Sequence, residues 1–226
     1  MSYRGPRELD QQLFAPDQIP VLQEAAGDLG WLLGRGYAPT AALKLVGDRH
    51  TLHARQRKAL MRGTCAPATA AARRAARGPV AGADVAVDGF NLIVSVETAL
   101  AGGLMFRGTD GLLRDLAGMH GKYRDVEQTR AAIALIAAAL RPAASVRWVL
   151  DRPVSNSGRI AELVREQGFE DVTLTDLADR TLAESGALIA TADGPLLDRG
   201  TGGVDVVSGI VATLPAAWVV PLVPLD

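Results

Sequence analysis

The stretch that decides the fold is ADVAVDGFNLIV, residues 83–94. It opens with a short apolar run, Val85–Val87, of the kind that forms a buried strand, and this run ends at Asp88. Two later runs have the same form, SVRWVLD at 145–151 and GALIATAD at 186–193. We therefore expect three buried strands, each of which leads directly into an aspartate.

Helical patterns separate these runs. EQTRAAIALIAAALRP (127–142) and SGRIAELVREQG (157–168) carry apolar residues at helical spacing and end at Pro and Gly. Strands that alternate with helices, several of them with near-continuous apolar runs, favour a parallel sheet covered by helices on both faces. The sequence thus predicts an α/β domain over residues 83–226.

The N-terminal part of the chain has a different pattern. Residues ~8–75 indicate three or four short helices with Gly and Pro between them. The Ala/Arg-rich segment 68–83 then ends in Gly and Pro, which is typical of a trailing helix and a linker. We predict a small, basic all-α domain, residues 1–78, ahead of the α/β domain.

Charge is distributed unevenly, although the net charge is -1. Residues 44–77 contain nine Lys or Arg residues against one acid, Asp48, a net charge of +8. Residues 78–226 contain 12 basic and 19 acidic residues, a net charge of -7. A basic arm beside an acidic domain is typical of proteins that bind a polyanion.

Composition also bears on the compartment. No apolar run reaches the roughly 18 residues of a membrane span, and the N-terminus lacks the apolar stretch of a secretory signal. A single cysteine, Cys65, excludes an internal disulfide and a cysteine-built zinc site within one chain. We predict a cytoplasmic protein without membrane contact, and the sequence does not decide between a monomer and a homodimer.

The strand-end acids carry the predicted chemistry. Asp88, Asp151 and Asp193 lie where open parallel sheets bind ligands, outside the carboxyl ends of the strands. Three converging carboxylates repel one another, and a hard cation such as Mg²⁺ or Mn²⁺ removes that conflict. Such a cation orients water and neutralises charge on a phosphate, so phosphodiester hydrolysis is the expected reaction. The alternative is that Asp88-Gly89 and Asp193-Gly194 are ordinary turns.

These segments resemble a known family. VAVDGFNLIV resembles the opening strand of the PIN-like and NYN ribonuclease superfamily, and WVLD resembles its middle strand. LTDLADRTLAES followed by GALIATADGPLLD resembles its closing pattern, and the match spans residues ~84–200 in the family's order. The N-terminal LVGDRHTLHARQRKAL resembles a domain that accompanies such a fold in prokaryotic proteins. The resemblance implies a PIN/NYN fold and a Mg²⁺- or Mn²⁺-dependent ribonuclease.

The resemblance also implies roles for particular side chains. The acids that it makes catalytic are Asp88, Asp151, Asp179 and Asp193. All of these except Asp179 are the expected metal ligands, with Asn91 in support of Asp88. Asp176 competes with Asp179 because Asp176 is also a suitable N-cap for its helix. Asp198 is an outer candidate for a supporting role.

A long, Gly-rich insert, residues 101–125, departs from the family pattern. It either forms a lid or channel wall, or is ordinary surface loop and helix. As a lid it would offer phosphates its basic side chains, which are Arg107, Arg114, Lys122 and Arg124. Its presence leaves open whether the additional acid of the site is Asp179, Asp176 or an acid of the insert, where Asp115 is the outer candidate.

Two further groups are candidates for phosphate binding. The first precedes a helix, whose free N–H groups favour anions, and comprises Arg152, Ser155, Asn156, Ser157 and Arg159. Its alternative role is helix capping by a serine. The second forms one face of HARQRKALMR and comprises Arg55, Lys58 and Arg62. Its alternative is a solvated helix face.

We expect a metal-dependent endoribonuclease with RNA held partly by the basic helical domain. Two other functions use the same residues. A non-catalytic module would hold RNA or a protein partner on the same fold without cleavage. A small-molecule phosphatase or nucleotide-binding enzyme would combine the acids with the loop at 155–159.

Overall fold

The computed structural model describes residues 4–117, 123 and 127–224. Its α-helices are α1 (Asp10–Leu13), α2 (Ile19–Gly34), α3 (Pro39–Arg49), α4 (Ala54–Gly63), α5 (Pro67–Ala75), α6 (Gly89–Leu100), α7 (Thr129–Leu140), α8 (Ser157–Arg165), α9 (Ala178–Ala183), α10 (Gly194–Leu197) and α11 (Val206–Val211). Its strands are β1 (Asp84–Asp88), β2 (Leu104–Arg107), β3 (Leu113–Asp115), β4 (Ser145–Asp151), β5 (Val172–Thr175), β6 (Leu188–Ala190), β7 (Gly203–Val204) and β8 (Trp218–Pro221).

The larger sheet is parallel and has the order β5-β4-β1-β6-β7. β1 lies at its centre, with Asp88 opposite Val149 of β4 and Val87 opposite Ala190 of β6. The carboxyl ends of β1, β4 and β6 therefore meet at one edge, as the strand-end aspartates require. The predicted α/β class with a parallel sheet and a preceding helical region is confirmed.

Helices cover both faces of this sheet because alternate side chains of a strand point in opposite directions. Val85 and Val87 enter a core with α6, α7, α8 and α11. Ala86, between them, enters a second core with α9 and α10. Within the described residues, no helix combines the length and the apolar character that crossing a membrane requires.

A second sheet, of order β3-β2-β8, is built largely from the insert. β2 pairs antiparallel with β3 and parallel with β8, near the end of the chain. The side chains of Leu104, Met105 and Phe106 are fully buried, as is Leu113. The interpretation of the insert as ordinary surface loop and helix is therefore wrong for these two strands. Lys122, Arg124 and the rest of 118–122 and 124–126 lie outside the described residues.

The N-terminal helices pack against this second sheet. Leu22 and Leu29 of α2 and Leu60 of α4 share one apolar cluster with Phe106 of β2 and Leu222 beyond β8. The Thr109 N–H also donates a 2.7 Å hydrogen bond to the Gly63 carbonyl at the end of α4. The two predicted domains, 1–78 and 83–226, thus contribute to a common hydrophobic core.

Candidate acidic active site

A cavity of about 140 Å³ opens at the carboxyl edge of the parallel sheet. Its wall draws on α4, the ends of β1 and β4, the first turns of α6, and β3; the side chains that line it are Arg62, Asp88, Phe90, Asn91, Val94, Asp115 and Asp151. Two of the three predicted metal ligands are thus in one pocket. An arginine from the N-terminal helices and an acid from the insert complete it.

Asp88 lies between β1 and α6 at the bottom of this edge. Gly89 follows it because a side chain there would place Cβ 2.5 Å from Leu150 Cδ2 and 3.2 Å from the Val149 carbonyl oxygen. The glycine therefore serves close packing and the start of α6, not a turn. Although Asp88 and Asp193 occupy N-cap positions of α6 and α10, neither carboxylate makes a capping hydrogen bond to a described residue. Their side chains remain available to the site.

The pKa of Asp88 is displaced far from its ordinary value of 3.8. Burial and, to a smaller extent, the neighbouring carboxylates of Asp193 and Asp151 raise it to about 7, although the hydroxyl of Thr191 lowers it. Thr191 Oγ1 donates a 2.7 Å hydrogen bond to Asp88 Oδ2. Asp88 is therefore electrostatically coupled to the other two strand-end acids.

Asp193 lies on a loop that two hydrogen bonds hold against the site. The Asp193 N–H donates to Thr191 Oγ1 over 3.0 Å, and the Ala192 N–H donates to Asn91 Oδ1 over 2.9 Å. Asn91 supports the site in two ways: its backbone N–H lowers the pKa of Asp88, and its side chain fastens the loop that carries Asp193.

The candidates beyond β4 lie further out. Asp151 is half-buried, and burial together with the Asp179 carboxylate raises its pKa. Asp179 is exposed and accepts a 2.9 Å hydrogen bond from Arg199. Asp176 is exposed, accepts a 3.3 Å hydrogen bond from Arg152 and is not the N-cap of α9, whose N-cap residue is Leu177. The carboxylate of Asp179 is thus close enough to Asp151 to raise its pKa. Neither Asp179 nor Asp176 lines the pocket.

Asp115, an outer candidate from the insert, is instead inside the pocket wall. It is buried, its Oδ2 accepts a 2.8 Å hydrogen bond from Ser95 Oγ of α6, and its Oδ1 accepts a 2.7 Å hydrogen bond from the Ala117 N–H. β3 brings Asp115 to this position by pairing with β2. The only signal of this in the sequence is an acid within the apolar run LLRDLAG.

The predicted basic face of α4 divides into three environments. Arg55 is bound in an internal ion pair with buried Asp10. Lys58 is exposed and donates a 3.1 Å hydrogen bond to the Leu116 carbonyl. Arg62 enters the acidic pocket, where its Nη1 lies 4.0 Å from Asp115 Oδ1. The prediction that Arg55 belongs to a continuous basic stripe that contacts phosphates is therefore wrong.

Much of the basic excess of residues 44–77 is neutralised within the fold. Arg73 of α5 donates to Asp110 over 2.9 Å and to both carboxylate oxygens of Asp198 over 2.8 and 2.6 Å. Arg114 donates to both oxygens of the same Asp110, over 2.8 and 2.6 Å, and to the Ala192 carbonyl over 2.8 Å. Asp198 is thus an ion-pair partner on the far side of α10. Arg114 thus holds the loop of Asp193 at Ala192, directly before the acid, and Arg73 holds the chain at Asp198, directly after α10.

The loop before α8 is organised internally. Ser155 Oγ and Asn156 Nδ2 both donate to the Tyr123 carbonyl, over 2.8 and 3.3 Å, and Ser157 Oγ donates to the Arg152 carbonyl over 3.1 Å. The N-cap of α8 is Asn156, in the left-handed conformation, so capping by either serine is wrong. Arg152 on this loop and Arg159 in the first turn of α8 are exposed.

The donor set suits a hard divalent cation, but it is not preassembled for three protein ligands. Across residues 4–117, 123 and 127–224, no group of three or more His, Cys, Asp or Glu side chains is arranged so that it could hold a metal ion. Mg²⁺ commonly keeps several waters and takes only one or two carboxylates. The pKa of Asp88 is raised in part by repulsion from the neighbouring carboxylates, which a cation would relieve. This repulsion and the oxygen donors of the pocket fit such a partly hydrated ion.

An α/β protein with an acidic pocket at the carboxyl edge of a parallel sheet is the class that this fold and site define. Residues 78–208 match the family described as "Domain of unknown function (DUF5616)", and the chain belongs to this family. Residues 21–75 match a second family, "Protein of unknown function (DUF434)". The pocket joins the two matched segments, because Arg62 lies in the second and its acids lie in the first.

One curated relative has a comparable span. The chain is 28% identical over 151 residues to an uncharacterized protein of Methanocaldococcus jannaschii, a match that covers 65% of this chain and 72% of that protein. No solved structure matches the chain.

Proposed function

We propose that the protein is a metal-dependent ribonuclease of the PIN/NYN type, which hydrolyses RNA phosphodiesters in the acidic pocket. The observation that carries the proposal is the coupling at Asp88, whose pKa rises to about 7 because of burial and the carboxylates of Asp193 and Asp151. Folded proteins seldom retain such a conflict without a function for it, and perturbed carboxylates in a cleft are typical of active sites.

Mg²⁺ or Mn²⁺ would be held by Asp88 and Asp151, with Asp193 or Asp115 beside it, and would supply an activated water and neutralise charge on the phosphate. The chain's own groups prepare this position. Thr191 favours the ionised, ligating form of Asp88 through its hydrogen bond. Asn91 holds the loop of Asp193 in place through the Ala192 N–H.

RNA is the proposed substrate on the strength of the motif order and of the cations that remain accessible near the pocket. Lys58 at its rim and Arg152 next to Asp151 are both exposed. Because most of the other charges of residues 44–77 are paired internally, this supports a short contact with the strand and not a long basic track. A cytoplasmic location belongs to the same proposal.

The test is cleavage of a labelled single-stranded RNA by the full chain in Mg²⁺ or Mn²⁺. Asp88→Asn and Asp151→Asn should each reduce the rate by at least about 100-fold, since both remove a ligand of the proposed ion. Asp84→Asn is the matched control, because Asp84 lies at the opposite, exposed end of the same strand β1. A wild-type protein without metal-dependent cleavage, or active Asn variants, would refute the proposal.

A second function is favoured by one observation, the lack of a three-ligand metal arrangement in the described part of the chain. A non-catalytic RNA-binding module would need no such metal site. It predicts RNA retention without divalent ions, a steep decrease of affinity with salt, and no cleavage. Free nucleotides and sugar phosphates tested in the same assay separate a small-molecule phosphatase from both.

A further inference from the structure

Arg62 differs from the other cations of α4 and α5 in having no hydrogen-bond partner among the described residues. Every other Lys or Arg of these two helices donates to a carboxylate or a carbonyl; they are Arg55, Arg57, Lys58, Arg73 and Arg74. The one ion pair of Arg62, to Asp115, spans 4.0 Å, beyond hydrogen-bond distance. The Arg62 side chain is nevertheless half-buried, with 32% of its surface exposed.

The half-buried Arg62 side chain therefore has guanidinium donors for which the described part of the chain provides no hydrogen-bond acceptor, and these donors are available to a ligand in the pocket. Asp115 does not supply that acceptor, because its Oδ1 lies 4.0 Å from Arg62 Nη1 while its two oxygens accept shorter bonds from Ser95 and from the Ala117 N–H. Arginine donors in a fork match the oxygens of a phosphate. Arg62 lines the same pocket, of about 140 Å³, as the strand-end acids Asp88 and Asp151.

A second observation comes from the rim of the pocket. Burial lowers the pKa of Lys58, and the cations Arg62, Arg55 and Arg7 lower it further. Arg62, Arg55 and Arg7 thus lie near Lys58, while the pocket that Arg62 lines also contains the carboxylates of Asp88, Asp115 and Asp151. An anion beside Arg62 and a cation beside the acids would relieve both conflicts together.

We propose that Arg62 binds a non-bridging oxygen of a substrate phosphate inside the acidic pocket, so that the helical segment matching DUF434 forms one wall of the active site. This inference rests on the proposed function for the identity of the substrate. It makes the helical segment part of the site itself and not a separate RNA-holding arm. Since three carboxylates face one guanidinium, the phosphate should enter well only when a divalent cation is present.

The test is binding of a fluorescent single-stranded oligoribonucleotide to the full chain in Ca²⁺, followed by anisotropy over a range of salt concentrations. Arg62→Ala should raise the Kd by about tenfold and reduce the salt slope by about 0.7, the loss of one phosphate contact on a single strand. Arg62→Lys should recover part of the affinity, because it restores the charge without the fork. Arg49→Ala is the control, since Arg49 is 70% exposed and pairs with Asp28 on the outer surface.

The outcomes separate this inference from the proposed hydrolysis. Wild-type protein that does not bind, folded Arg62 variants that bind like wild type, or equal losses in Arg62→Ala and Arg49→Ala would each overturn the inference. Hydrolysis would survive those results if Asp88→Asn still abolished cleavage. A third outcome is that Arg62→Ala selectively loses binding while the wild-type chain does not cleave RNA. That result would support the phosphate site and refute the hydrolysis. Circular dichroism of Arg62→Lys is the control that checks whether the fold is retained.

Discussion

The Thr191 hydroxyl donates a 2.7 Å hydrogen bond to Asp88 and accepts a 3.0 Å hydrogen bond from the Asp193 N–H. One buried side chain thus connects the end of β1 to the loop that carries the third strand-end acid. The bond stabilises the carboxylate form of Asp88 against the burial that favours its protonated form. The ionisation of the site and the position of its loop therefore depend on the same residue.

Thr191→Val keeps the shape of the side chain and removes its hydroxyl. The pKa of Asp88, already raised to about 7, should rise by about another unit, because a hydrogen bond to a charged group is lost. Cleavage at pH 7 should fall by several-fold and recover at higher pH, as measured by a pH–rate profile. Thr201→Val, which removes an exposed hydroxyl bonded to the Ala187 carbonyl, is the control. An unshifted profile would contradict the coupling.

Asp88→Asn should stabilise the metal-free protein at neutral and alkaline pH. The pKa of Asp88 in the folded protein, about 7, lies above its ordinary value of 3.8, so the folded state binds more protons between these values and loses stability as pH rises. The advantage of the Asn variant should be smallest near pH 4, grow to pH 7 and level off at up to about 4 kcal/mol. Urea unfolding in EDTA measures it, and a pH-independent difference would refute the assignment.

Asp110→Asn should destabilise the fold strongly although it is remote from the pocket. Burial raises the pKa of Asp110, but the guanidiniums of Arg114 and Arg73 outweigh it and hold that pKa at about 2. Loss of the carboxylate leaves the buried Arg114 without its counter-ion, which costs about 3–5 kcal/mol, whereas Arg73 keeps Asp198. Asp48→Asn removes only the ion pairs of an exposed carboxylate and should have a much smaller effect on stability. Equal effects on unfolding would contradict this difference.

Phe106→Ala should destabilise the N-terminal helices and the rest of the chain together. Phe106 is fully buried where β2 meets Leu60 of α4 and Leu222, and its loss should cost about 3–5 kcal/mol. Because the core is shared, thermal unfolding should remain a single transition at a lower temperature. Two separate transitions would show that the predicted domains, 1–78 and 83–226, are energetically independent.

The parallel sheet could be predicted from local patterns. The apolar runs before Asp88, Asp151 and Asp193 are each complete within a few residues, and the helices between them repeat at helical spacing. Parallel pairing then places their carboxyl ends together, so the placement of these three acids at one edge follows from the sequence.

The composition of the pocket could not be predicted in the same way. Asp115 reaches it because β2 pairs with β8, more than a hundred residues further along the chain, and no local pattern encodes that pairing. Arg62 reaches it because α4 packs on the second sheet, while Arg55, one turn of helix away from Lys58, pairs with Asp10. A basic stripe in a sequence does not reveal which of its members tertiary contacts neutralise.

The most direct measurement is the anomalous difference density of a crystal of the full chain soaked in Mn²⁺. The account predicts one Mn²⁺ peak in the pocket, coordinated by Asp88 and Asp151 within 2–2.5 Å or so, with waters completing its shell. It also predicts that the peak is lost in Asp88→Asn and kept in Asp84→Asn. Mn²⁺ bound elsewhere, or a pocket that stays without Mn²⁺ at pH 8, would contradict the central claim that these strand-end aspartates form a metal site.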